Sequence, residues 1–108
     1  MNYYRQGDIV LIPISKMPAN LTPVERDAGA VVLAYGETTG HKHQIVEEDV
    51  QLFAPGEASV LAERYLRVGG SVAVLTHEEH APITLPPGEY EVRHQREYSP
   101  EKIQRVLD

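Results

Sequence analysis

The stretch Ile9-Val10-Leu11-Ile12-Pro13-Ile14 (IVLIPI) indicates the fold class of this chain. It is a short, continuous apolar run that follows the turn signal Gly7-Asp8. A short apolar run that is rich in β-branched side chains and bounded by turn residues is typical of a buried β-strand. Because proline has no backbone N–H, we expect this strand to end at a sheet edge or a bulge near Pro13.

The rest of the chain repeats this pattern of short strands separated by turn signals. Further strands are predicted in residues 30–35, 43–46, 50–53, 58–61, 65–68, 71–75 and 89–98. The apolar run 71–75 is expected to be central, and the proline-containing residues 15–29 are predicted to be an irregular connection. Roughly seven or eight short strands predict a mainly β protein that forms a small β-barrel or sandwich, with a jelly roll as one form of it.

The C-terminus has a different pattern. Ser99-Pro100-Glu101 has the residue types of a helix start, with Ser99 as the N-cap and Pro100 at the first helical position. Ile103, Val106 and Leu107 then fall on one face at helical spacing. A short helix is therefore predicted at about residues 100–107. We expect residues 1–108 to form a single domain, because this length suits one domain.

Composition excludes several classes of function. The formal net charge is −6, so broad nucleic-acid binding is not expected. The chain has no cysteine, which excludes disulfides and thiolate metal sites. No stretch approaches the roughly 20 apolar residues of a membrane helix, and residues 1–5 lack the apolar core of a signal peptide. The sequence thus predicts a cytoplasmic protein without a membrane partner.

Two histidine pairs carry the main functional hypothesis. His41 and His43 are two residues apart, a spacing that puts both side chains on one face of a strand. His77 and His80 follow the apolar run 71–75, and their spacing brings the two rings together only if the chain turns there. His94 lies in a charged strand and is expected to be exposed and to take no part.

A divalent transition metal, such as zinc or iron, is the predicted cofactor. Imidazole nitrogens suit these metals, and three of them with a carboxylate or water form an open, catalytic type of site. The nitrogens would come from His41, His43 and one of His77 or His80. Glu47, Glu78 or Glu79 would supply an oxygen. The protein would then be a minimal metal-dependent enzyme or a sensor with a small-molecule or protein partner, whereas simple solvation of histidines in surface loops is the unremarkable alternative.

The first histidine pair resembles the first motif of the cupin superfamily. That motif has a glycine, a spacer, His-x-His and then a glutamate, and this chain has Gly36, His41-Lys42-His43 and Glu47. Pro86-Pro87-Gly88 is similar to the second cupin motif, but Glu91 stands where the metal-binding histidine should be. The resemblance covers about half of the chain. It implies a jelly-roll barrel with His41, His43 and Glu47 as ligands, and His77 or His80 in place of the third histidine.

A second resemblance is to small bacterial and phage proteins of no known function. It rests on Tyr4-Arg5-Gln6-Gly7-Asp8, Thr39-Gly40-His41-Lys42-His43, the segment from His77 to Pro82 and Gln95-Arg96-Glu97-Tyr98. This resemblance implies no mechanism.

Two other functions stay open on the sequence. One is an interaction module without chemistry, whose histidine loops contact a partner protein. The other is a metal-independent hydrolase or ribonuclease, with histidine as general acid and base and arginine holding a phosphate-bearing substrate. The candidate basic cluster for that reaction consists of Arg5, Lys42, Arg93, Arg96 and Tyr98, which would meet if the first and last strands pair.

Overall fold

A computed structural model describes residues 2–36, 40–56 and 63–95 of the chain. The described residues form ten β-strands: β1 (Tyr4–Gln6), β2 (Ile9–Ile14), β3 (Leu21–Val24), β4 (Val31–Tyr35), β5 (Lys42–Ile45), β6 (Val50–Pro55), β7 (Arg64–Val68), β8 (Ala73–Leu75), β9 (Ile83–Leu85) and β10 (Gly88–His94). The predicted mainly β class is therefore confirmed. No helix in this part of the chain is long and apolar enough to cross a membrane.

Six strands form one antiparallel sheet in the order β1-β2-β10-β7-β6-β3. Within it, Leu11 of β2 pairs with Tyr4 on one side and with Val92 on the other. The β1 pairing of β2 ends at Leu11, so Pro13 lies where β2 is hydrogen-bonded on one side only. A proline is tolerated there because no neighbouring strand needs its missing N–H on the free side.

Two hairpins, β4-β5 and β8-β9, form separate two-stranded sheets. They meet through an isolated bridge in which Gln44 and Thr76 exchange both backbone hydrogen bonds, at N–O distances of 3.0 and 2.9 Å. This bridge fixes the end of β5 against the residues that follow β8. It therefore decides which loop residues come together.

A single hydrophobic core joins the large sheet to the two hairpins. Its fully buried members include Ile9, Leu11 and Leu66 from the sheet. Ile45 from β5 and Leu75 from β8 belong to the same cluster and are also fully buried. The apolar run IVLIPI thus has the buried role that its composition predicts.

The described strands lie in three open sheets and do not close into a barrel. The prediction of a barrel or sandwich holds only at the coarser level of a small sheet-rich domain. The predicted strand at 58–61 and the predicted helix at about 100–107 both lie outside the described residues.

Three strands were missed and one was misplaced in the sheet order. β1 and β9 are three residues long, and β3 lies inside residues 15–29, which were wrongly expected to be irregular. β3 contains Pro23 and is at the edge of the large sheet, where proline and half-exposed side chains weaken the strand pattern. The run 71–75 is not central: β8 pairs only with β9, although Ala73 and Leu75 are fully buried.

Truncation of the core at Leu66 tests this packing. Leu66 has no exposed surface, so Leu66→Ala should lower the free energy of unfolding by about 2–5 kcal/mol through lost burial and a residual cavity. Urea denaturation followed by circular dichroism measures this change. Val72→Ala removes an apolar side chain that is 50% exposed and should change stability by less than about 0.5 kcal/mol. Equal losses in the two variants would contradict the assigned core.

Candidate functional site

Four histidine rings from two separate parts of the chain meet beside the hairpin bridge. The ring centroids of His43 and His77 are 4.3 Å apart, and those of His77 and His80 are 4.6 Å apart. The ring of His41 lies 5.5 Å from that of His77 in an edge-on arrangement. The structure therefore brings together the two pairs that the sequence singled out. We call His41, His43, His77 and His80 the histidine cluster.

Strand register explains this convergence. Because Gln44 is opposite Thr76 in an antiparallel bridge, the next residues outward, His43 and His77, also face each other. His41 is two residues before His43 and so lies on the same side of the chain. The chain bends at 78–80, directly after the bridge, and this bend brings His80 beside His77.

Gln6 holds the buried ring of His43 in one orientation. The Gln6 Nε2 group donates hydrogen bonds to the carbonyl oxygens of Leu75 and Ala81, both at 2.9 Å. Its Oε1 atom is 2.8 Å from Nδ1 of His43. Since Oε1 is an acceptor only, His43 must donate from Nδ1. In the neutral ring, Nε2 therefore carries the lone pair.

His43 is neutral over most of the accessible pH range. Its pKa is lowered from 6.5 to about 4, mainly by burial and also by the neighbouring His77, while Asp8 acts in the opposite direction. The histidine clustering expected from the sequence predicts the same direction, but desolvation is the larger cause. A neutral imidazole with a free lone pair is the form that binds a metal ion.

The β1–β2 turn brings a carboxylate to His43. Asp8 Oδ1 is 3.7 Å from His43 Nε2, and Asp8 Oδ2 is 2.9 Å from Nε2 of His94. The Gln95 N–H donates to the Asp8 carbonyl at 2.7 Å, which ties the turn to the end of β10.

Gly7 lets this turn approach the cluster closely. A Cβ atom at this position would lie 2.7 Å from His80 Nε2 and 3.3 Å from His43 Cε1. Its φ of +60° is also one that side chains disfavour. A glycine is therefore required both by the turn and by the rings that pack on it.

His41, His77 and Glu78 form the tightest group of possible metal ligands among the described residues. One ligand atom from each lies within 4.8 Å of the other two. The Lys42 N–H donates to Glu78 Oε1 at 2.9 Å, and this bond lowers the pKa of Glu78, which keeps its carboxylate ionised. Nδ1 of His77 accepts a hydrogen bond from the Glu79 N–H at 3.0 Å, so the neutral ring carries its proton on Nε2.

A family model described as a domain of unknown function, DUF8820, matches residues 5–95 of the chain. The chain belongs to the DUF8820 family. The matched range contains every residue of the histidine cluster together with Gln6, Asp8 and His94. No curated protein and no solved structure matches the chain. The resemblance to proteins of no known function agrees with this family, whereas the resemblance to cupins receives no support from it.

The DUF8820 chain does not assemble the ligand set that the cupin resemblance implies. Glu47 Oε1 accepts a hydrogen bond from the backbone N–H of Val74 at 3.2 Å. Val74 lies in β8, on the far side of the hairpin bridge from the histidine cluster. Glu47 is four residues beyond His43, or roughly 13 Å along an extended strand. The structure thus places Glu78, and not Glu47, beside His41.

The expected basic cluster is only partly assembled. Arg5 and Arg93 flank Val10 from β1 and β10, so the first and last strands are separated by β2 and do not pair directly. Arg93 Nε is 3.1 Å from Glu91 Oε2, and Arg5 Nε donates to the Gly7 carbonyl at 2.8 Å. Arg96 and Tyr98 lie outside the described residues. Both described arginines are thus held by acceptors of the domain itself.

Sequence reasoning missed three contributors to this site: Gln6, Asp8 and His94. His94 is exposed as expected, but its hydrogen bond to Asp8 makes it part of the surroundings of His43, so its dismissal was wrong. Asp8 was interpreted only as a turn residue, and Gln6 lies in a strand too short to recognise. Gln6 and Asp8 could have been noticed because they belong to Tyr4-Arg5-Gln6-Gly7-Asp8, one of the stretches that resemble the uncharacterised proteins.

Removing the Gln6 amide should destabilise the domain. Gln6→Leu leaves the buried carbonyl of Leu75 and the buried Nδ1 atom of His43 without partners, at about 1–3 kcal/mol for each group that water cannot reach, and it also removes the hydrogen bond to the carbonyl of the exposed residue Ala81. We expect a loss of several kcal/mol in urea denaturation. Gln44→Leu is the matched control, because Gln44 is half-buried and its bridge uses only backbone atoms. A Gln6→Leu variant as stable as this control would refute the bridging role.

The lowered pKa of His43 predicts a pH dependence of stability in metal-free protein. Above pH 6.5 the ring is neutral in both the folded and the unfolded state and contributes nothing. As the pH falls from 6.5 towards 4, only the unfolded state gains a proton, so the free energy of unfolding should fall by about 1.4 kcal/mol per pH unit from this group. Denaturant melts between pH 4 and 8 in the presence of a chelator measure the slope.

The control for this slope is His43→Gln, which has no titrating ring. Its stability at pH 8 will differ from that of the wild type. Between pH 6.5 and 4, however, its free energy of unfolding should change less steeply with pH, by about 1.4 kcal/mol per pH unit, which corresponds to one proton. An unchanged slope would show that His43 does not titrate differently in the folded state.

Proposed function

We propose that this DUF8820 domain binds a divalent transition metal ion through its histidine cluster, with His41, His77 and Glu78 as the primary ligands. The supporting observation is the convergence of imidazole rings from the β5 and β8 ends, with one nitrogen or oxygen atom from each of these three residues inside a 4.8 Å group. Two imidazoles and a carboxylate suit zinc, iron and related ions, and such a set leaves room for water or a substrate.

The charges around the cluster favour a cation over an anion. Asp8, Glu78 and Glu79 are the carboxylates within reach of its rings, and His43 is held neutral by burial. A phosphate group would meet these like charges, whereas a divalent ion would be attracted by them. With Arg5 and Arg93 both engaged elsewhere, a metal-independent hydrolase or ribonuclease receives less support than a metal site.

Metal binding at His77 requires a small local rearrangement. Its Nδ1 atom accepts the Glu79 N–H, so coordination through Nδ1 displaces that bond. Coordination through Nε2 moves the ring proton to Nδ1, where it opposes the same N–H. Either route gives up one hydrogen bond, about 0.5–1.5 kcal/mol. This loss is small beside the roughly 8 kcal/mol of a micromolar site, and Glu79 is exposed, so its N–H can bond water instead.

Three protein ligands leave a coordination position of the metal open. A substrate bound there would make the protein an enzyme, and a partner or small signal molecule bound there would make it a sensor. The three ligands are half-buried or exposed, so a small molecule or a partner side chain can reach the ion. A cytoplasmic location belongs to the same proposal and is supported by the absence of cysteine. The interaction module without chemistry is the rival that a metal titration separates from this function.

Zinc titration of protein prepared without a histidine tag tests the proposal. Wild type should bind Zn²⁺ with micromolar or tighter affinity by isothermal titration calorimetry, and His41→Ala and Glu78→Gln should each weaken the primary site at least tenfold. At a hundredfold excess over Kd, bound metal adds about 2.7 kcal/mol of stability. For a domain of this size the melting temperature should therefore rise by on the order of 10 °C.

The matched control is Glu25→Gln, which removes an exposed carboxylate on the segment after β3 and should leave the affinity unchanged. Identical melting curves for chelator-treated and zinc-loaded wild type would exclude a metal site and favour the interaction module.

A further inference from the structure

We infer that the cluster contains a second metal position, formed by His43 Nε2 and Asp8 Oδ1 with His80 as the third ligand, next to the primary position. This inference rests on the proposed function, because it assumes that the primary group of His41, His77 and Glu78 binds a metal ion. It makes the DUF8820 site a two-metal centre.

Two acceptors face each other at this position. The Gln6 bond fixes the proton of His43 on Nδ1, so the lone pair of Nε2 lies 3.7 Å from a carboxylate oxygen of Asp8. Two electron-rich atoms at this separation repel unless a positive atom lies between them. The His43 side chain is only 7% exposed and that of Asp8 is 37% exposed, so water screens this repulsion only from the Asp8 side. The two acceptor atoms are therefore suited to bind a cation between them.

Both ligands already have the outer hydrogen bonds that metal ligands need. A ligating histidine donates its other ring N–H to an acceptor, as His43 does to Gln6. A ligating carboxylate is itself hydrogen-bonded, and Asp8 Oδ2 is 2.9 Å from Nε2 of His94. These outer contacts orient the two inner atoms towards one point before any ion arrives.

His80 is the candidate for the third ligand, and its ring nitrogen would have to move towards the pair, because among the described residues only His41, His77 and Glu78 already form a close ligand group. The His80 ring is stacked on that of His43, with 6.0 Å between centroids and 15° between planes. Its Nε2 atom lies against Gly7, the residue directly before Asp8. Two imidazoles and one carboxylate make a donor set suited to zinc or iron(II), as at the primary position. The two positions adjoin, because the rings of His43 and His77 are 4.3 Å apart.

Metal stoichiometry decides between one position and two. Tag-free protein is stripped with a chelator, dialysed to equilibrium against Zn²⁺ at several free concentrations, and measured by elemental analysis. Wild type should hold two equivalents per chain. Asp8→Asn keeps an acceptor for His94 but lacks the charge, and should hold one equivalent. Glu78→Gln should also hold one, and the combined variant should hold none. Glu25→Gln should still hold two.

The outcomes separate this inference from the proposed function. No bound zinc in wild type overturns both. If wild type binds one equivalent of zinc and Asp8→Asn still binds one, only the second position is overturned. The same holds if wild type binds two equivalents and Asp8→Asn also binds two. His80→Gln, expected to weaken the second equivalent at least tenfold, replaces Asp8→Asn if that variant fails to fold. The ¹⁵N shift of His43 Nε2 on zinc addition reports directly on coordination, and its absence would refute the assignment.

Discussion

The buried amide of Gln6 is the interaction on which the site depends. It joins three parts of the chain, because it bonds the carbonyl of Leu75 at the end of β8, the carbonyl of Ala81 and the ring of His43. A buried polar group is tolerated only when its hydrogen bonds are made, and every atom of this amide group has a partner. The bonds that satisfy Gln6 therefore also fix the tautomer of His43 and the start of the loop that carries His77 and His80.

The fold around Gln6 explains why a small domain can hold so many histidines at one place. Ile9 and Leu11 lie on the inner face of the large sheet and pack into the core. At the end of the same face, Gln6 and His94 pair with Ile9 from the two neighbouring strands. The hairpin bridge between Gln44 and Thr76 positions the rings of His43 and His77 at the same end of the sheet. The cluster thus caps the core where the apolar side chains stop, and it does not interrupt the core itself.

The sequence predicted those parts of the structure that depend on local pattern. Continuous apolar runs such as IVLIPI identified buried strands, and the spacing of His41 and His43 predicted their common face. The sheet order could not be obtained this way, since the run 71–75 has the composition of a central strand yet pairs only with β9. The surroundings of His43 were equally hidden, because Gln6, Asp8 and His94 are distant from it in the sequence and belong to the large sheet or its β1–β2 turn, whereas His43 lies in the β4-β5 hairpin. Glu47 was predicted as a ligand from its place in the cupin-like motif, but it lies beyond the end of β5 and its carboxylate bonds the backbone of Val74.

The arrangement is electrostatically unfavourable for a protein without a ligand. His43 can scarcely be protonated, its lone pair faces the carboxylate of Asp8, and its ring lies against that of His77. Folded domains of this size are stable by only about 5–15 kcal/mol, so unfavourable contacts reduce a small margin of stability. Local contacts that oppose stability are expected where function requires them. Under the proposed function, a divalent cation would accept the lone pair of His43 and balance the carboxylate of Asp8. In that proposal His43 and Asp8 would keep their places, because Gln6 and His94 hold them, and any adjustment would fall on the exposed residues Glu78, Glu79 and His80.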